Sequence, residues 1–287
     1  MTSAHARTPK AVWAAALKQA SIELRNSFLT GSGLTYLIGP VIMLVLTYFL
    51  RDSDLLESSI SIAQNLLPGM LAFGFLMGGV IGVASELFLE REDGTLLRMK
   101  AIPHGVQGFL SGKLVTHLIL NIVSALLVLV PVVVFFPGAM AGGVGRWLAV
   151  FGLLVIAVVV TMPLGALMGA ALRSNAQIGV ASMGTFGLAA ISGVFVPLTL
   201  LPQWLQVIGQ AFPLYWLGLG FRRALLPPEA VLLEVGGTWR TTEMVVVLAV
   251  WVLIGVVGAP IALRKMIRGV SGSKVAESRE RMLSRGY

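Results

Sequence analysis

The chain has 287 residues, 56% hydrophobic and only 12% charged, with 33 Gly and a mean hydropathy of +0.89. A soluble domain carries about 25% charged residues, so this composition excludes one and indicates a polytopic membrane protein. The chain has no Cys, which rules out disulfides and thiolate metal sites, and its net charge of +8 sits beside apolar runs instead of lining a groove, which argues against nucleic acid.

The N-terminal segment, 1–30, reads as an amphipathic helix over residues 8–30. Thr8 suits its cap and Pro9 its first turn. Trp13, Leu17, Ala20, Leu24 and Phe28 recur at spacings of three and four, with Lys10, Lys18 and Arg25 off that stripe. Such a helix lies in the membrane surface or packs on a partner. The first apolar run begins near residue 34, too deep for a cleavable signal peptide.

A transmembrane domain is expected over 31–263, with six spans at about 34–50, 66–85, 109–136, 147–172, 177–196 and 244–263. Pro40 and Pro163 predict kinks. Gly74, Gly78 and Gly82 recur every four residues in the second span, a pattern for close helix packing or for bare backbone along a path. Between the second and third spans, residues 86–104 form the densest charged stretch, read as a cytoplasmic elbow. Pro197, Pro202 and Pro213 divide 197–226 into pieces too short to cross, which predicts re-entrant outer helices. Trp204, Tyr215 and Trp216 suit the headgroup boundary. A basic tail follows over 264–287. With both termini cytoplasmic, 16 of the 21 Lys and Arg fall inside, and this bias sets the orientation.

The missing chemistry narrows function. No Asp or Glu lies deep in an expected span, and His117 stands near the start of the third, so an ion-coupled carrier has no visible coupling site. No zinc pair, nucleophile elbow or intramembrane Asp pair is present. His5, His104 and His117 are scattered without ligand spacing. The run from Gly108 to Lys113 approaches a phosphate loop, but Gln107 stands where its first Gly belongs, and Leu114 follows the Lys. The chain is therefore not expected to bind ATP itself or to be an enzyme.

The elbow carries the positive evidence. If the second helix continues into the cytoplasm, Glu86, Glu90 and Asp93 share one face. Gly94 terminates that helix, and Thr95 caps a short one through Leu96, Leu97, Met99 and Ile102, closed by Pro103. Apolar residues rimmed by charge mark a binding surface.

The stretch Glu90-Arg-Glu-Asp-Gly94-Thr95-Leu-Leu-Arg-Met-Lys-Ala-Ile-Pro103 resembles the elbow signature of type-2 ABC transporter permeases, the membrane subunits of drug-resistance (daunorubicin-type) exporters. Ser192-Gly-Val-Phe-Val-Pro197, Leu201-Pro202, Phe212-Pro213-Leu-Tyr-Trp and Phe221-Arg are similar to the same family's region before the last span. The resemblance implies a multi-pass permease of a bacterial cell membrane, working as a dimer of two copies or paralogues with two ABC ATPase subunits. ATP and Mg would be bound by those subunits, with no cofactor, metal or catalytic residue in this chain. The elbow would be the coupling helix, contacting the ATPase through Glu86, Glu90, Arg91, Glu92, Asp93, Gly94, Thr95, Leu97 and Arg98. Leu97 stands where the family often has Glu.

The expected cargo is hydrophobic, drug-like or lipid-like, moved out of the cytoplasm or inner leaflet, as in multidrug efflux and antibiotic resistance. Phe73, Phe75, Met77, Phe186 and Phe195 would line its path. A lipid-linked glycan is the alternative cargo. An ion-coupled carrier or a membrane scaffold is the alternative class.

Overall fold

The computed structural model describes residues 17, 20–22, 25–26, 35–53, 60–101, 105–136 and 143–269. The surface helix expected over 8–30 falls mostly outside them, as do Asp54, Glu57, 102–104, 137–142 and the tail beyond Gly269.

Every regular element among the described residues is helical. They are α1 (Thr35–Leu50), α2 (Ile62–Glu92), α3 (Thr95–Lys100), α4 (Gly105–Phe135), α5 (Gly143–Ala171), α6 (Asn175–Ala190), α7 (Gln203–Ala211), α8 (Pro213–Leu225) and α9 (Thr241–Gly269). Four of these, α2, α4, α5 and α9, are long and apolar enough to cross a membrane. α1 and α6 have 16 residues each, about 24 Å at 1.5 Å per residue, short of a 30 Å hydrocarbon core.

α2 starts four residues earlier than the apolar run suggests. Ser61 and Gln64 form a reciprocal capping box that satisfies the first orphan amides. α6 stops at Ala190, where the sequence reading carried the span to 196; residues 191–196 turn instead, with Gly193 at φ +70°. α9 runs on to Gly269 and takes Arg264, Lys265 and Arg268 into its last turns.

The core is organised around α8. Phe212 in an extended conformation and Pro213 at the first position start it, and Pro227 and Pro228 follow its end. Of its 13 residues, 12 are buried, against α2, α5 and α9. At 13 residues it is too short to cross a bilayer, and its aromatic side chains are enclosed in protein. Tyr215 and Trp216 lie in the packed core, because α8 is enclosed by three long helices. Trp204, on α7, is the exposed one. The aromatics are held by carbonyls: Trp216 donates to Gln210 O at 2.6 Å and Trp251 to Ala211 O at 3.0 Å.

The glycine pattern of the second span is corrected by the backbone. Leu76–Gly82 is a π-helical segment inside α2, and its wider turn rotates the side chains that follow it off a four-residue stripe. Gly74 has open space around it, and Gly82 has only ordinary contacts. Of the three, Gly78 alone is tightly packed, against the Asn121 side chain. Gly79 and Gly165 let the backbones of α2 and α5 approach closely; a Cβ on Gly165 would overlap Gly79 O. Gly165→Ala is therefore expected to destabilise by about 1–3 kcal/mol, seen as a lower melting temperature in mild detergent. Gly74→Ala is expected to melt like the parent, and equal melting of all three proteins would remove this account of the packing.

Candidate functional site: the elbow and its anchors

The elbow is built by α2, Gly94 and α3. Gly94 adopts φ +79°, a conformation that side chains resist, and it reverses the chain between the two helices. Thr95 was expected to cap α3, but Asp93 supplies the acceptor: its Oδ1 takes the Thr95 amide at 2.8 Å. The Thr95 hydroxyl instead accepts from Arg98 at 2.8 Å.

The short helix does not expose its whole apolar ridge. Leu96 is buried with Leu87, Phe109 and Met266, and Met99 packs on that cluster. These contacts fasten α3 to α2, α4 and α9. Leu97 is half-buried, while Leu89, Asp93 and Arg98 face outward. The surface left for a partner is thus narrower than the sequence suggests, and it is centred on these four residues.

Glu86, Glu90, Arg91 and Glu92 are paired within the chain. Lys113, from α4, pairs with two carboxylates of α2, with Glu90 at 2.9 Å and with Glu86. His117, one turn further along α4, meets the other oxygen of Glu86 through Nε2. His117 itself is almost fully buried, 4% exposed. Arg91 donates to Leu172 O at 2.6 Å, a carbonyl at the end of α5, and stacks over Phe88 at 5.0 Å. A cation there satisfies orphan carbonyls and the negative end of the helix dipole. Glu92 pairs with Arg91 at 3.6 Å. Glu86, Glu90 and Arg91 therefore tie the elbow to α4 and α5, so any displacement of α3 pulls on those two helices.

The expected path residues separate into two groups. Phe73 lies 5.2 Å from Phe186 and 6.4 Å from Phe195, ring centre to ring centre. Phe186 and Phe195 are exposed, 55% and 39%. Met183, one turn before Phe186, is 75% exposed. Phe73 and Phe75 both belong to the buried core and Met77 packs against it, but of these three Phe73 meets the exposed rings.

A second buried polar centre escaped the sequence reading. Arg222 of α8 pairs with Glu234, and its Nη1 donates to Gly193 O at 3.0 Å. Tyr215 approaches the same carboxylate, Oη to Oε2, at 3.5 Å. This centre joins α8 to the turn that ends α6. The sequence placed Arg222 in an outer loop, and nothing in the 12-residue gap to Glu234 marks the two as partners. The Glu86–Lys113–His117 cluster did leave a signal. Glu86 and Glu90 are four apart on one helix, and Lys113 and His117 four apart on another, so one helical face of each carries complementary groups.

Long apolar helices around a buried short helix, with a charged elbow anchored at one end, define a multi-pass membrane protein. The chain belongs to the ABC-2 type transporter family, whose model matches residues 12–226. It is thereby the permease component of an ABC transporter, and the family implies an ABC ATPase as its partner. No curated protein sequence matches the chain.

Proposed function

We propose that this permease is the membrane subunit of an ATP-driven exporter of the drug-resistance branch, in a bacterial cell membrane with both termini cytoplasmic. Two copies, or one with a paralogue, face each other, each docked through its elbow on an ATPase subunit. The partners bind ATP and Mg and carry out hydrolysis; this chain supplies no catalytic residue. α1 and α6 complete six spans, the bilayer thinning or flanking residues making up their length.

The observation that carries this reading is the elbow: an outward Leu89, Asp93 and Arg98 surface with half-buried Leu97 among them, whose neighbours Glu90 and Arg91 are tied to α4 and α5. A cargo path beside Phe73, Phe186 and Phe195 suits a hydrophobic molecule, because exposed rings and Met183 offer apolar, adaptable contacts. The deciding experiment purifies the tagged chain from its native membrane in mild detergent. A stoichiometric ATPase subunit and vanadate-sensitive hydrolysis, stimulated by lipophilic compounds, are expected. A chain that purifies alone and without ATPase activity would overturn the proposal. Gly94→Pro, which breaks the φ +79° turn, is expected to leave the complex assembled but to abolish transport; normal transport rates in that variant would remove the coupling role from the elbow.

A further inference from the structure

The end of α9 on the elbow side carries three cations close together, Arg264, Lys265 and Arg268. All three are exposed, and among the described residues none of them has a hydrogen bond or an ion pair. α9 contains no Asp or Glu after Glu243. The elbow carboxylates are engaged elsewhere: Glu86 and Glu90 by Lys113, Glu92 by Arg91, and Asp93 by the Thr95 amide. The negative end of the helix dipole accounts for Arg268, in the last turn. It does not account for Arg264 and Lys265, a turn earlier, because that field fades within one turn.

The cations continue an apolar stripe. Val257 and Ile261 are exposed, and positions 257, 261, 264, 265 and 268 follow one another at spacings of three and four, so they share one face of the helix. The other face, with Leu263, Met266 and Ile267, packs into the cluster that holds Leu96 and Met99 of the elbow. Depth agrees with the charge pattern. The apolar stretch of α9, residues 244–263, is about 30 Å long at 1.5 Å per residue, which matches a hydrocarbon core. The three cations therefore stand just beyond that core, at the level of lipid phosphates, with the apolar stripe beneath them at the level of the acyl chains.

We propose that this face of α9 binds an anionic phospholipid of the leaflet on the elbow side, its phosphate held by Arg264, Lys265 and Arg268 and an acyl chain laid along Ile261 and Val257. An acidic protein surface would suit the cations alone; a lipid suits both the cations and the apolar stripe at membrane depth. The bound lipid braces the end of α9 against which Leu96 of the elbow packs. The site stands whatever the permease carries and whatever docks on the elbow.

The test is native mass spectrometry of the full chain in mild detergent, delipidated and then offered phosphatidylglycerol or phosphatidylcholine with identical acyl chains. Phosphatidylglycerol is expected to be retained at about tenfold lower concentration than phosphatidylcholine, the preference given by several cations acting on one anionic headgroup. The triple variant Arg264→Gln/Lys265→Gln/Arg268→Gln is expected to lose that preference and to retain phosphatidylcholine as the parent does. Arg264→Lys/Arg268→Lys keeps the preference, and so does Arg223→Gln, which removes an exposed cation at the other end of the helices. Equal retention of the two lipids by the parent, an unaltered preference in the triple variant, or displacement of the lipid by millimolar inorganic phosphate alone would overturn the proposal. So would a triple variant that keeps the lipid preference but no longer co-purifies with an ATPase subunit, since the cations would then belong to a protein contact.

Discussion

Arg222→Met is expected to lower the melting temperature of the purified protein by roughly 10 °C, the largest effect of any single substitution considered for this chain. Both partners of the ion pair are almost fully buried, with side chains 4% and 5% exposed. Removing the guanidinium strands the Glu234 carboxylate in a low-dielectric interior and leaves Gly193 O without its donor. Breaking a buried pair on one side costs about 3–5 kcal/mol, and a protein somewhat smaller than this one loses about 2–4 °C per kcal/mol. The double variant Arg222→Met/Glu234→Leu is expected to regain much of the loss, because neither charge is then buried alone. It does not regain all of it, since Gly193 O and the Tyr215 hydroxyl stay short of a partner. Thermal unfolding of the three variants checks this. A double variant no better than the single one would show that packing around α8, not charge compensation, decides stability there.

Lys113→Met is expected to have the second-largest effect, and on coupling as well as on stability. Among the described residues, Lys113 is the cation that pairs with both Glu86 and Glu90. Without it two carboxylates of α2 face each other across one helical turn, with His117 the remaining partner of Glu86 among the described residues. The cluster is less deeply buried than the Arg222 pair, since the Glu86 side chain is 35% exposed. The expected loss is accordingly at the low end of the same range, about 3 kcal/mol. The functional consequence is more specific. If α4 is driven by the elbow through this link, transport falls about tenfold while hydrolysis by the ATPase partner continues. Lys113→Arg preserves the cation and is expected to preserve both activities. Parallel loss of hydrolysis and transport in Lys113→Met would reduce the residue to a structural one.

These two centres also mark the limit of what the sequence disclosed. Hydropathy located the long helices because a 30 Å apolar core needs a run of about 20 residues, and such runs are unmistakable. The elbow was legible for the opposite reason, as a knot of charge in an apolar chain. Three features were not. The π segment in α2 breaks the 3.6-residue period on which any glycine stripe is read, so Gly74 and Gly82 were grouped with Gly78 although only Gly78 is crowded. Trp and Tyr are amphipathic and read as boundary residues; that Tyr215 and Trp216 are enclosed depends on α2, α5 and α9 surrounding α8, a tertiary fact. The elbow charges were all assigned outward, whereas Glu86, Glu90 and Arg91 are claimed by Lys113 and by the Leu172 carbonyl. Of the aromatic residues read as a path, Phe73 of α2 meets Phe186 and Phe195, and Phe75 does not join them.

The most direct test of the central claim uses the absence of Cys from the chain, which lets one introduced thiol report alone. Arg98→Cys places a thiol on the outward face of the elbow, and Leu232→Cys, at a residue 77% exposed in the segment after α8, places one at the other end. A short thiol-to-amine cross-linker applied to the native complex is expected to join Arg98→Cys to the ATPase subunit, and to do so differently with and without ATP and vanadate, while Leu232→Cys gives no such product. Cross-linking of the ATPase at Leu232→Cys but not at Arg98→Cys would contradict the account, placing the partner at the wrong end of the helices and taking the elbow out of coupling.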